Sequence, residues 1–264
     1  MLMAIRQSEM TPASDWLPWL GEVADAADAI ALRLFRTGSL RVEQKPDRSP
    51  VSEADRGIEA MARERAASRS LGVLGEEEGE SGSGSRRLII DPIDATRNFV
   101  RGIPIFATLL AIEEDGEIVA GLVSAPALGA RWSAARGAGA WSGRRRLAVS
   151  GVRDLRSAQL FHGDLGGRDE PHPPPGMAEL LGRVQRARGF GDFYQHMLVA
   201  EGAGELGVDP EVKAWDVAAL QVIVEEAGGR ATTLDGERSV HGGSLVTSNG
   251  LLHDETLGIL AGGA

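Results

Sequence analysis

The sequence predicts a protein of mixed α and β structure, and three observations carry that reading. Apolar residues recur at helical spacing near the start, as Trp16, Leu17, Leu20, Val23, Ala27, Ile30 and Leu34. From Phe106 to Trp141 the pattern changes to short β-type runs punctuated by Asp115-Gly116, Gly129 and Gly137-Ala138-Gly139, which predicts an antiparallel meander of hairpins. Beyond Arg146, strand-like and helix-like segments alternate as in an α/β unit. At 264 residues the chain is long enough for one large domain or two closely packed halves.

The first helix spans Trp16 to Leu34, with Gly38 marking its end. A second starts at Ser52, where Ser52 and Asp55 can form a capping box, and continues through Ile58 and Met61. The apolar run Leu71-Gly72-Val73-Leu74-Gly75 leads into Glu76-Glu77-Glu78. Ser81-Gly82-Ser83-Gly84-Ser85 has no side chains able to pack and reads as a flexible loop, not a phosphate-binding one. In the second half Leu147-Ala148-Val149 is strand-like, a long irregular stretch follows, and helices run from about Gly191 to Glu201 and from Asp216 to the Gly228-Gly229 stop. The stretch 163–176, with Gly166-Gly167 and Pro173-Pro174-Pro175, reads equally as an inert insertion or a specificity loop. Gly137-Ala138-Gly139-Ala140 is a turn rather than a dinucleotide fingerprint, because no GxGxxG leads into a helix.

Composition removes several classes of function. The absence of cysteine excludes disulfides, thiolate zinc sites and cysteine nucleophiles. A formal charge of −10 argues against a nucleic-acid binder, and the short basic run Arg144-Arg145-Arg146 reads as a solvated loop between two elements. No apolar segment reaches the ~20 residues that span a bilayer, and Met1 to Ser14 lacks the pattern of a secretory signal. The expectation is a soluble cytoplasmic protein. His162, His172, His196, His241 and His253 are scattered and make no zinc cluster by spacing, so surface histidine is the reading taken for His162 and His172.

The chemistry concentrates where Leu88-Ile89-Ile90 runs into Asp91-Pro92-Ile93-Asp94-Ala95-Thr96-Arg97-Asn98-Phe99. Pro92 interrupts a strand and holds a turn, so Asp91 and Asp94 can project toward one point, an oxygen-rich corner suited to a hard divalent cation. A helix beginning near Ala95 would turn its free N–H groups toward the same point and could receive a phosphate. The plainer reading is a strand followed by an Asp cap.

Four separated segments bear on that choice: Pro50-Val51-Ser52-Glu53-Ala54-Asp55, Gly75-Glu76-Glu77, the Asp91 to Phe99 segment, and Trp215-Asp216-Val217-Ala218-Ala219. Together they resemble the signatures of the inositol monophosphatase superfamily of magnesium-dependent phosphomonoesterases, in that family's order, and the similarity runs from about Asp15 to the C-terminal end. Segments such as Phe99-Val100-Arg101-Gly102-Ile103-Pro104 and Arg131-Trp132-Ser133-Ala134-Ala135-Arg136-Gly137 resemble the histidinol-phosphate phosphatase branch. The resemblance implies a five-layered αβαβα sandwich. Its N-terminal α+β half, 1–145, would carry most metal ligands, and its C-terminal α/β half, 146–264, would carry Asp216 and the specificity segments.

By the same resemblance, Glu76, Asp91, the Ile93 carbonyl, Asp94 and Asp216 bind two or three Mg²⁺ ions. Thr96 and Asp55 join Glu76 as the catalytic groups that align or deprotonate the attacking water. The N–H groups of Ala95 and Thr96 hold phosphate, with no covalent intermediate. Ala95 replaces the family's usual glycine, which crowds the site if that position needs positive φ and is harmless in a helical conformation. Lys45 reads either as a support for this network or as a surface lysine, and Glu77 as an outer acceptor or a solvated acid. Trp215 is expected to pack the junction that aims Asp216. Arg188, Asp192 and Asp209 are the candidate substrate contacts, Asp209 standing where relatives carry a glutamate. The implied activity is hydrolysis of histidinol phosphate, a small-molecule phosphate monoester, by a homodimer with no nucleic-acid or membrane partner. The alternatives are inositol 1-phosphate or another sugar or nucleoside phosphate, and a non-catalytic metal-binding regulatory protein.

Overall fold

The computed structural model describes residues 12–45, 49–163, 165 and 172–262. Helix α1 (Trp16–Leu34) forms over the predicted range, burying Trp16, Trp19, Leu20, Val23, Ala24, Ala27 and Ala31 along one stripe. It stops at Phe35, whose backbone is extended, three residues before Gly38. Strands β1 (Val42–Gln44) and β2 (Pro50–Ser52) make a small antiparallel pair, and Ser52 then caps α2 (Glu53–Ala67) in the predicted capping box with Asp55.

Strand β3 (Gly72–Gly75), β4 (Gly79–Ser81) and β5 (Arg86–Asp94) precede the one-turn helix α3 (Thr96–Val100). The meander follows as β6 (Ala107–Glu114), β7 (Glu117–Ala125), β8 (Ala130–Ala135), β9 (Gly139–Ser142) and β10 (Arg145–Arg146). These form one sheet in the order β10-β9-β8-β7-β6-β5-β3-β4, antiparallel except where β3 lies parallel to β5. Strand β5 is apolar on both faces because both are covered. Leu88 and Ile90 pack toward α1 and α2, and Ile89 packs toward the opposite core.

The second half builds β11 (Gln159–His162), α4 (Met177–Arg183), β12 (Arg186–Gly189), α5 (Asp192–Ala200) and β13 (Leu206–Asp209). It finishes with α6 (Ala214–Glu226), β14 (Arg230–Thr232), β15 (Leu245–Ser248) and α7 (His253–Leu260). Its sheet has the order β12-β11-β13-β15-β14. The layers are α1 and α2, the eight-stranded sheet, α5 and α6, the five-stranded sheet, then α4 and α7, which is the αβαβα sandwich. Helix α6 is apolar all round, with Val217, Ala218, Ala219, Leu220, Val222, Ile223 and Val224 buried, because it lies between two sheets. Gly121 of β7 admits it: a Cβ there would sit 2.6 Å from Val222 Cγ1 and 3.0 Å from the Ala219 Cα.

Several local expectations are corrected. Leu147-Ala148-Val149 is irregular; the strand is the preceding Arg145–Arg146, which pairs with Ser142 and Trp141 instead of forming a solvated loop. Helix α6 begins at Ala214, so Asp216 is its third residue, not its first. Strand β11 ends just before the 163–176 stretch and α4 and β12 follow it; the sequence pattern assigns none of the three, because their short, interrupted apolar runs carry little periodicity. Of the 163–176 stretch, Asp164 and 166–171 lie outside the described residues, as do residues 1–11 of the N-terminal segment. No helix among the described residues is long and apolar enough to cross a membrane.

The C-terminal layer is pinned by His253, which is fully buried. Thr232 Oγ1 donates to the Thr233 carbonyl at 2.9 Å, so it accepts from His253 Nε2–H at 2.8 Å, and Nδ1 then accepts from Ser248 Oγ at 2.8 Å. Burial, aided by the charge of Arg230, lowers the His253 pKa to about 4. The neutral ring is the folded form, so its stabilisation is complete above the unfolded pKa near 6.5 and is lost as pH falls toward 4. Denaturant titrations of the wild type and His253→Gln across pH 4–6.5 are expected to differ in slope. The histidine contributes an acid loss of up to about 3 kcal/mol that the glutamine variant lacks.

Candidate active site at the end of strand β5

Pro92 has no N–H to give the ladder, and the β5–β6 register breaks between Asp91 and Asp94 while Thr108 Oγ1 donates to the Pro92 carbonyl at 2.8 Å. This bulge turns both carboxylates inward, where they are buried. From the other half, α6 supplies Asp216, whose Oδ2 accepts from the Lys213 N–H at 2.7 Å. The N-terminal turn of α5 supplies the Phe193 N–H, which donates to Asp94 Oδ2 at 2.8 Å. Ligand oxygens of Asp91, Asp94 and Asp216 lie within 4.8 Å of one another. Because β3 runs parallel beside β5 with Gly75 opposite Ile90, Glu76 emerges next to Asp91 and lines the same cavity.

Burial first, and then the crowding of like charge, drives the carboxyls of Asp91 and Asp94 well above the usual carboxylate range. Asp216 is pushed up to about 7, chiefly by burial and against the Lys213 hydrogen bond. Asp91 Oδ1 is buried and accepts no hydrogen bond from the protein. An orphaned oxygen inside an all-carboxylate corner fits a hard divalent cation, which satisfies the oxygen and neutralises the repulsion.

The loop that delivers Glu76 is fastened by two groups. Lys45 Nζ lies 2.8 Å from Glu76 Oε1 and 2.6 Å from Glu77 Oε1, which makes it a member of the network rather than a surface lysine. Burial opposes the Lys45 charge, yet these two partners hold its ammonium above the usual lysine range. Glu77 is correspondingly no solvated acid; burial raises it to about 7 against the pull of Lys45. Glu59, fully buried on α2, accepts the N–H groups of Glu77 at 2.8 Å and Glu78 at 3.0 Å and is forked by Arg63. A Cβ on Gly75 would fall 2.3 Å from Glu59 Oε1, so glycine at 75 is what lets the clamp close.

Thr96 Oγ1 stands 2.8 Å from the Ile93 carbonyl and 3.2 Å from Asp55 Oδ1. Asp55 Oδ2 accepts from the Ser52 N–H and Oγ, so this carboxylate caps α2 and faces Thr96 at once. Burial raises the Asp55 pKa, with the Ser52 bonds opposing the rise. Ala95 adopts φ 66°, ψ 45°, the left-handed conformation that a methyl group disfavours by roughly 1–2 kcal/mol. Of the two cases foreseen for this alanine, the positive-φ one holds. Helix α3 has only five residues, and the Asn98 and Phe99 N–H groups both donate to the Ala95 carbonyl, at 2.9 and 3.1 Å.

The cavity over the carboxylates has a volume of about 610 Å³. Asp192 and Asp209 line it, as do Thr96 and Ala95. Arg188 does not: it is exposed on β12, at the sheet edge, and its Nη1 donates to the Ala187 carbonyl at 2.7 Å. Trp215 is half-buried against the central core beside Asp216, as expected of a junction anchor. Residue-type reasoning passed over His196, which also lines the cavity. The signal was its i+4 spacing from Asp192, which sets both on one helix face.

Comparison with known proteins gives a concordant result. The inositol monophosphatase family model matches residues 15–261. A histidinol-phosphatase of Streptomyces coelicolor is 48% identical over 250 residues, covering 90% of this chain and 94% of that relative. A histidinol-phosphatase of Mycobacterium tuberculosis is 48% identical over 246 residues, covering 89% and 94%. Among solved structures, the extragenic suppressor protein suhB of Bartonella henselae superposes with a TM-score of 0.86 at 29% identity, covering 95% of this chain and all of that one.

Two outcomes follow from the geometry. For carboxyls whose pKa is raised by folding, stability is greatest below the unfolded value near 4 and falls as pH rises toward about 7, the value for Asp216. A divalent cation relieves that penalty, so addition of Mg²⁺ to EDTA-stripped protein should raise Tm more at pH 8 than at pH 5 in thermal melts. Replacement of Glu59 by Gln, which breaks the fork with Arg63, should weaken Mg²⁺ or Mn²⁺ binding about 10- to 100-fold by titration calorimetry on the folded variant.

Proposed function

The chain belongs to the inositol monophosphatase family, whose members are metal-dependent phosphomonoester hydrolases, and from that premise we propose that it releases phosphate from histidinol phosphate. The observation that carries the substrate is the pairing of two charged walls in one cavity. One wall is the carboxylate corner suited to a cation and a phosphate; on the other, Asp192 and Asp209 face the space a leaving group would fill. Histidinol phosphate has a phosphate at one end and an ammonium and an imidazole at the other, so it matches both walls. Neutral polyols such as inositol leave the second wall without a counter-charge.

Glu76, Asp91, Asp94, Asp216 and the Ile93 carbonyl would hold the ions, Mg²⁺ by the hard oxygen character of the set. When bound, such ions neutralise phosphate and leaving-group charge and make a coordinated water more acidic. Thr96 Oγ1, fixed between the Ile93 carbonyl and Asp55, orients the attacking water and passes its proton toward the Asp55 carboxylate. The N–H groups of Ala95 and Thr96 donate to phosphate oxygens and hold the phosphorus in line with the attack. Asp192 and Asp209 accept from the cationic groups of the leaving alcohol and fix its orientation. The nucleophile is water, so phosphate leaves without a covalent enzyme intermediate. The product is histidinol, which places the reaction in histidine biosynthesis; its ionised substrate does not cross membranes unaided, which favours a cytoplasmic setting.

The test is steady-state phosphate release with Mg²⁺, comparing histidinol phosphate, inositol 1-phosphate and a panel of sugar and nucleoside phosphates. The expected outcome is the highest kcat/KM on histidinol phosphate and a loss of at least about 100-fold in Asp94→Asn. Preference for inositol 1-phosphate would discard the substrate while leaving the chemistry, and no turnover on any ester would point to the regulatory alternative.

A further inference from the structure

We propose that His196, backed by Thr247, is a positioning residue that fixes the Asp209 carboxylate and thereby sets the preference for a cationic leaving group; the inference rests on the substrate reading above. His196 is fully buried on α5, and each ring nitrogen has a partner: Nε2 lies 2.9 Å from Asp209 Oδ2 and Nδ1 lies 2.8 Å from Thr247 Oγ1. These three side chains come from α5, β13 and β15 and link the central helix layer to the second sheet.

The proton positions follow from the donor inventory. A carboxylate oxygen accepts, so Nε2 turns a hydrogen toward Asp209, with the Gln195 amide nitrogen 3.3 Å from the same Nε2, while Nδ1 meets the Thr247 hydroxyl. The ring is thus held at both nitrogens, with neither free to face a reacting atom. His196 therefore acts through Asp209 and not on phosphorus. One oxygen of Asp209 is consumed by the ring, and Oδ1 is the one left to receive a donor from the leaving group.

Two glycines clear the space for this chain. A Cβ on Gly207, which pairs with Thr247 across β13 and β15, would sit 2.7 Å from Thr247 Oγ1 and 3.0 Å from His196 Nδ1. A Cβ on Gly163 would sit 2.9 Å from Asp209 Oδ1. Side chains at either position would displace the hydrogen bonds or cover the free oxygen. A buried imidazole with both nitrogens committed to such a chain orients a carboxylate in the way that an outer partner orients a ligand.

The experiment compares wild type, His196→Asn, Thr247→Val and Thr247→Ser on histidinol phosphate and on β-glycerophosphate, which lacks a cation. The Asn and Val variants should raise KM for histidinol phosphate about tenfold with a much smaller change on β-glycerophosphate, and Thr247→Ser should restore discrimination. Equal losses on both esters, or unchanged discrimination, would overturn the proposal. The tautomer is read independently by ¹⁵N–¹H NMR of the imidazole. A hydrogen-bonded Nε2–H in the wild type whose signal shifts in Thr247→Val supports the chain even if β-glycerophosphate proves the better substrate, whereas a ring without an Nε2–H or one unaffected by Thr247→Val refutes it.

Discussion

The structure is organised around an electrostatic cost: the buried Asp91 and Asp94 are gathered with the partly buried Asp216 and Glu76 at one end of the cavity. Packing alone would not hold such a cluster, because burial and mutual repulsion both favour the neutral acids. The protein opposes the cost with directed dipoles, the Phe193 and Lys213 N–H groups, and with one ammonium, Lys45. These leave Asp91 Oδ1 unsatisfied. The remaining deficit is the driving force for taking up a cation, so the tension that weakens the metal-free fold is the same one that makes the site bind.

Holding that tension in place explains much of the architecture. Asp91, Asp94 and Asp216 arrive from β5 and α6, which pack on one another through the central core, and α6 is gripped between two sheets. A ligand on a helix so enclosed cannot drift away from its neighbours when repelled. Glu76 is the exception, since it sits on a loop, and it is there that the chain places the Glu59 clamp and the Lys45 ion pair. Rigidity is thus supplied where the backbone does not provide it.

The parts of this arrangement differ in how visible they are in the sequence. Helix α1, the capping box of α2 and the meander follow from local periodicity and turn chemistry, and they appear where the pattern puts them. The proline-interrupted strand end pointed to Asp91 and Asp94 but fitted an Asp cap as well, and Glu76 and Asp216 joined them only through the resemblance of their segments. Strands β11 and β12 and helix α4 were not legible, because each is short and its identity as an element depends on neighbours far along the chain. Glu59 and His196 escaped for a related reason: a lone acid on a helix and a lone histidine acquire meaning only through partners that folding brings near, Gly75 and the 77–78 backbone in one case, Asp209 and Thr247 in the other. Arg188 shows the opposite error, since nearness in sequence to Asp192 does not carry an exposed edge-strand side chain into the cavity.

A division of labour follows from where the two sets of acids lie. Those of the cation corner are buried, crowded and raised in pKa, so their chemistry depends on what they bind together. Asp209 is different in kind, because its charge is met by a single hydrogen-bonded imidazole and it has an oxygen to spare. In the proposed reaction the first set acts on the phosphate, a group common to every ester the fold could admit, and therefore carries rate without discrimination. The second, on the same proposal, acts on the alcohol, the only part that differs between esters. Discrimination by a carboxylate requires that it be unable to turn away when the wrong alcohol arrives, since a mobile acid simply retreats to solvent. Asp209 lacks that freedom because a buried ring holds it, and so the proposed selectivity of the cavity rests on the same contact between helix and sheet.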